Sequence, residues 1–202
     1  MKISMQSHMK AYEKYLFELI RTLKPQLIFV AILLMTGIIL GFTNVFDLNE
    51  FIDSLIESIM HQFKDYRGLE LFARILLNNS RATAIALLSG IIFSILPTLA
   101  SLVNGMLIGF ILQSTKYMAG RSVYEMILAL LPHGVFEIPA LILSFAFGIK
   151  MGGWLFSSKK IEFFKHNFKE ALNCYVRIIL PLLIIAACIE TVGIEAIHYM
   201  MG

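Results

Sequence analysis

His133 and Glu137 stand four residues apart in an otherwise apolar stretch, a spacing that puts both side chains on one face of a helix. A carboxylate so placed fixes the imidazole tautomer or favours its protonated form, which suits proton handling, cation binding or an internal hydrogen bond. Other polar residues also sit among apolar neighbours: Asn78, Asn79 and Arg81 at the start of one hydrophobic run, Asn104 inside the next stretch, and Glu190 and Glu195 in the last. A charge inside hydrocarbon costs about 2.5 kcal/mol or more on insertion scales, so each such group needs a partner, water or a task. Asn78, Asn79, Arg81, Asn104, His133, Glu137 and Glu190 therefore form one candidate polar site within the membrane, and a bound cation near His133 and Glu137 is the ligand its chemistry would accept.

The pair alone does not make an enzyme. It supplies two metal ligands, whereas metal hydrolysis normally uses three and an open position; Asn79, Asn104 or Glu190 would have to be the third. Gly-x-Ser-x-Gly, Walker A and dinucleotide fingerprints are missing from the sequence, so no residue is assigned a catalytic role. The expected role is non-enzymatic: first a membrane scaffold or assembly subunit, second an ion or small-solute channel or transporter, third an intramembrane hydrolase.

The elements that must position these groups are helices in lipid. Of 202 residues 58% are hydrophobic and 15% charged, which excludes an ordinary soluble domain and leaves no polar tract for a second one. Mean hydropathy is +0.77. The net charge of +3, without a lysine- or arginine-rich block, excludes a nucleic-acid partner. Cys174 and Cys188 lack CxxC or Cys/His metal spacing and read as packing residues.

We expect an all-α, polytopic membrane protein forming one domain, with about five transmembrane helices, broken or re-entrant half-helices, and flanking amphipathic helices. Residues 1–26 form an amphipathic N-terminal segment, 27–43 the first span with Pro25 at its start, and 44–80 an outer amphipathic loop. The core follows over 82–156. Its first part, 82–112, would rise about 46 Å as one helix against a hydrocarbon thickness of about 30 Å, so Pro97 is expected to divide it into a tight hairpin or a re-entrant pair. Pro132 and Pro139 are expected to separate a half-helix from the next span, 157–177 to form a basic amphipathic helix, and 178–200 the last span. Residues 1–26 carry five basic and two acidic side chains and residues 150–177 six and two, which puts both segments, and the N-terminus, on the cytoplasmic side of the cell membrane. Residues 44–80, with three basic and six acidic, belong outside.

In the outer loop Leu48, Phe51, Ile52, Leu55, Ile56 and Ile59 recur at helical spacing behind an Asp47/Glu50 capping pattern. Ile161, Phe164, Phe168, Leu172 and Tyr175 form a similar stripe beside lysines, as do Tyr12, Leu16, Leu19 and Leu23; such basic amphipathic helices suit an anionic lipid surface. Gly37/Gly41, Gly105/Gly109 and Gly148/Gly152 are three G-x-x-x-G pairs that allow close helix approach, within the chain or along a homodimer seam.

The runs LLNNSRATAIALLSG, LVNGMLIG and LLPHGVFEIPALILSFAFGIKMG, between Leu76 and Gly152, together resemble the stage II sporulation protein M family of bacterial and archaeal membrane proteins. The resemblance rests on the ordered set Asn78, Asn79, Asn104, Gly105, Pro132, His133, Gly134 and Glu137. It implies a core of about five spans and membrane or cell-envelope partner proteins; in spore formers, it implies work with cell-wall-degrading partners during engulfment. No enzymatic reaction comes with it.

Overall fold

A computed structural model describes residues 2–45, 50, 54, 66–90, 92, 94–119 and 123–201, all helical apart from short connections. The first helix, α1 (Lys2–Thr43), has 42 residues and passes through Pro25 without ending. At about 63 Å it is twice the thickness of a hydrocarbon core, so the amphipathic segment and the first span are one rod. Leu48, Phe51, Ile52, Leu55, Ile56 and Ile59 of the expected amphipathic stripe, and Asp47 of its cap, lie outside the described residues.

Next come α2 (Gly68–Ser89), α3 (Ile95–Ala119) and α4 (Val123–Gly152), then a 3₁₀ turn at Gly153–Phe156. After it α5 (Lys160–Cys174) passes through a π-helical turn, Tyr175–Ile179, directly into α6 (Leu180–Met201). Within the described residues four stretches are long and apolar enough to cross a membrane: Met9–Thr43, Ile95–Gln113, Gly134–Phe156 and Lys160–Ala196. The fifth helix of the bundle, α2, carries Asn78, Asn79, Ser80 and Arg81 midway and buries Leu71, Ile75, Asn79, Thr83, Ala86 and Leu87 on one face.

Two expectations about the breaks need correction. The first hairpin turns between Ser89, the end of α2, and Ile95, the start of α3, rather than at Pro97, and its first arm begins at Gly68, so Asn78, Asn79 and Arg81 stand in the middle of a helix and not at its start. Pro97 instead lies in the first turn of α3, where its missing N–H costs nothing, and is fully buried. The second break is not formed: α4 is continuous over 30 residues with Pro132 and Pro139 inside it. A proline within a membrane helix is tolerated where neighbouring protein compensates the freed carbonyl, and α4 is packed by α2, α3 and α6.

Glycines fix how these helices meet. A methyl group built on Gly37 would overlap the Leu102 carbonyl and come within 2.9 Å of the Gly105 Cα. On Gly109 it would overlap the Ile38 carbonyl and approach the Phe42 nitrogen to 2.8 Å, and on Gly41 it would overlap the Met106 carbonyl. Thus α1 and α3 run parallel with two G-x-x-x-G faces in backbone contact. The third pair works likewise. A methyl group built on Gly148 would come within 2.5 Å of the Ala86 carbonyl oxygen and 3.0 Å of the Pro97 ring, and one on Gly152 within 2.5 Å of the Ser94 nitrogen. Ser94 Oγ closes that corner by donating to the Ile149 carbonyl at 2.8 Å. All three pairs are packed from within one chain.

The registers define two ends of the bundle. Residues 15–23, the 90–94 turn, Lys150 and α5 share the near end; Gly68 and Glu195 meet at the far end. The two basic segments therefore gather on one side. Neither lies as a separate helix: Leu19 and Leu23 of α1 and Ala171 and Cys174 of α5 are buried in a core shared with Leu87, Phe147 and Leu183. Cys188, in contrast, is exposed on α6.

Gly105→Leu should lower stability by about 2–3 kcal/mol, because the α1 backbone leaves the added side chain no room. Gly193, with nothing within 4 Å of a built methyl, is the control: Gly193→Ala should be neutral or stabilise by up to about 1 kcal/mol in the same detergent unfolding experiment.

Candidate functional site

The centre of α2 is polar because its sequence, Asn78 to Thr83, offers four amide or hydroxyl side chains and one arginine in six positions. Helix geometry divides them. Asn79 and Thr83, one turn apart, are buried; Asn78 and Arg81 are exposed. Thr83 Oγ1 donates to the Asn79 carbonyl at 2.8 Å, and Asn78 Nδ2 donates to Asn79 Oδ1 at 3.4 Å.

Tyr175 reaches this belt from the π-helical turn. Its hydroxyl donates to the Ser80 carbonyl at 2.8 Å and stands 3.4 Å from Thr83 Oγ1. A π-turn widens the helix by one residue and frees its end to aim a side chain, which is one reason such turns recur at functional positions. Here it ties α6 to the polar middle of α2.

The other sequence-chosen residues are placed as follows. Asn104 is half buried and donates to the Ala100 carbonyl at 2.8 Å, within its own helix. Asn104 and Asn79 lie about ten residues from the 90–94 turn on its two arms, so their depths match. Ala86 and Gly90 meet Gly148 in parallel helices, which places Glu137 within about one turn of the level of Asn79. Glu137 buries one carboxylate oxygen, as does Glu190. Glu190 sits nearer the far end, because Ala187 packs on Leu71 and Ile75. The side chain of His133 lies outside the described residues; its backbone is within α4. Among the described residues, ion pairs join Arg74 to Glu70 and Lys159 to Glu162. No group of three or more His, Cys, Asp or Glu among the described residues is arranged to hold a metal.

Glu195 has a defined task at the far end. One of its carboxylate oxygens accepts the Gly68 N–H at 2.5 Å, so α6 supplies an anionic cap to the start of α2. A carboxylate there satisfies an orphan donor and meets the positive end of the helix dipole. Gly68 has φ +53°, a left-handed conformation that favours glycine.

Sequence reasoning missed the near end. A pocket of about 110 Å³ opens there between α1, α4 and α5, walled by Tyr15, Glu18, Thr22, Lys150, His166 and Glu170 over Leu19, Leu23 and Phe147. Its charges come from three segments distant in the chain, and the sequence showed them only as lysine-rich stripes. Arg177 stands over the Tyr15 ring at 5.8 Å nearby.

A family model described as Stage II sporulation protein M matches residues 30–193. No curated protein and no solved structure gives a match.

Tyr175→Phe should cost about 1 kcal/mol by removing the hydroxyl that donates to the Ser80 carbonyl. Glu195→Ala should cost a similar amount, about 0.5–1 kcal/mol, by uncapping α2. Thermal unfolding in one detergent would measure both, and hydrogen exchange should show the Glu195 effect confined to the first turn of α2.

Proposed function

Because the chain belongs to the stage II sporulation protein M family, a family of membrane proteins, we propose that it acts as a non-enzymatic scaffold or assembly subunit in the cell membrane. The observation that carries this reading is the backbone-to-backbone packing of Gly37, Gly41, Gly105 and Gly109. It favours a fixed frame over one that rocks open. Buried hydroxyls support the same view by bonding their own helices: Ser144 to the Ala140 carbonyl at 2.9 Å and Thr191 to the Ala187 carbonyl at 2.7 Å. The N-terminus is cytoplasmic in this reading, since two basic segments converge at the near end.

The same end offers contact area. Phe17, Ile20, Ile161 and Leu172 are exposed on the near-end parts of α1 and α5. Exposed apolar side chains interleaved with lysines suit membrane or cell-envelope partner proteins and the anionic bilayer surface.

One observation favours a second reading, an ion or small-solute channel or transporter. Polar groups recur at successive depths, from Glu195 through Glu190 and Asn79 to Tyr175 and the near-end pocket. A conducting protein would use such a series as a path.

Reconstitution separates the two. As a scaffold the purified protein should give proteoliposomes no proton, cation or small-solute flux above empty vesicles. A photo-crosslinker at Phe17 or Leu172 in cells should capture a discrete membrane protein, and Gly105→Leu should abolish that adduct. Flux that Glu137→Gln removes while the protein stays folded would overturn the scaffold reading in favour of transport.

A further inference from the structure

Neither reading says what the near-end pocket holds, and the arrangement of its charges points to a ligand. Lys150 of α4 and Glu170 of α5 are each half buried and lie within electrostatic reach across the pocket. They do not close on one another: the ion pairs among the described residues are Arg74–Glu70 and Lys159–Glu162. Two opposite charges held apart by packed helices, partly out of water, are poorly compensated, and a group that bridges them would gain from both. Tyr15 adds a second sign of an unfilled site, since its hydroxyl oxygen is buried in the same wall without a hydrogen-bond partner.

The bridge must carry an anionic group for Lys150 and Tyr15 and a cationic donor for Glu170. Glu18, exposed at the rim on α1, gives the cation a second carboxylate, and His166 on the opposite rim gives the anion a further donor. A volume of about 110 Å³ limits the occupant to a small group. Depth narrows it further. The pocket lies between Tyr15 and Leu23, just before the apolar run of α1 begins at Leu27, and beside Lys150, near the end of the apolar run of α4. That is the level of lipid headgroups.

We propose that this pocket binds a primary-ammonium zwitterion, with its anionic group on Lys150 and Tyr15 and its ammonium between Glu170 and Glu18. Two sources share that chemistry: the phosphoethanolamine headgroup of a membrane lipid, and a free zwitterion such as phosphoethanolamine or an amino acid. Choline is the discriminating analogue, because its three methyl groups replace the N–H donors that the carboxylates require.

The test begins with the full chain in nanodiscs of equal parts ethanolamine, choline and anionic glycerol lipid, extracted into detergent for native mass spectrometry. Ethanolamine lipid should be retained over choline lipid by about tenfold, the effect of one charge-assisted hydrogen bond. In parallel, phosphoethanolamine and glycine are titrated into delipidated protein and followed by thermal shift. Retained lipid that phosphoethanolamine does not displace assigns the lipid source, and saturable binding of a soluble zwitterion assigns the free one; either result supports the site. Glu170→Gln and Lys150→Met should each weaken binding about tenfold or more. If these variants fail to fold, Glu18→Gln at the exposed rim should still weaken it several-fold. Equal retention of ethanolamine and choline lipids with no soluble binding overturns the proposal, as does unchanged binding in a folded Glu170→Gln or Glu18→Gln protein.

Discussion

Direct contact between glycine backbones sets the depth of every other group in this bundle. Lipid tails are as apolar as leucine, so helices in a membrane gain little by hiding apolar surface from one another and must be held by close van der Waals fit. Gly37 and Gly41 against Gly105 and Gly109 bring α1 and α3 together where any Cβ would collide with a carbonyl. Gly90, Gly148 and Gly152 then lock the α2–α3 turn onto α4. A slip of one residue in either seam would bring side chains into the space the glycines vacate. The two seams together place the Asn79 belt, the Asn104 level and Glu137 at comparable depth.

The polar residues are accommodated by two different solutions. Hydroxyls and amides inside the bundle mostly bond a carbonyl one turn back on their own helix, as Thr83, Asn104, Ser144 and Thr191 do. These groups can sit in an apolar interior without calling for a partner helix. Tyr175 and Glu195 instead reach across, to Ser80 and to Gly68, and both pin α6 to α2. α2, polar at its centre, is thereby tied at its middle and at its start by polar contacts, while Leu71 and Ile75 pack on Ala187 between them.

Much of this was legible in the sequence. The all-helical membrane class followed from hydropathy, the gathering of the two basic segments at one end from charge counts, and the hairpin before Asn104 from the excess length of 82–112. Proline was the weak signal. It marks a position that lacks a donor, and such a position can begin a helix, as Pro97 does, or lie inside one, as Pro25 and Pro139 do; only the surroundings decide. Adjacency misled as well. Asn78, Asn79 and Arg81 form one cluster in the sequence, yet a helix rotates about 100° per residue and turns them to different faces. The near-end pocket was beyond reach because no periodicity links Glu18, Lys150 and Glu170 before the fold is known.

The π-helical turn shows how a local irregularity solves a long-range problem. Along α5 and α6 the buried positions among the described residues are Asn167, Ala171, Cys174, Ile179, Leu183, Ala186, Ala187 and Thr191. Steps of three and four keep a face on the core, and the one step of five, from Cys174 to Ile179, coincides with the π-turn at Tyr175–Ile179. In a regular α-helix a five-residue step would rotate Ile179 and Leu183 away from Ala171, and the rod could bury either its near half against α1 or its far half against α2, but not both. The extra residue removes that conflict. It falls next to Pro181, whose missing N–H would otherwise leave the Arg177 carbonyl without its usual donor, so the sequence places its irregularity where the regular bond was already lost. The same turn aims Tyr175 at Ser80 and keeps Glu170 on the face that looks toward Lys150. Straightening it would therefore disturb the polar belt and the near-end pocket together, although no side chain is common to both.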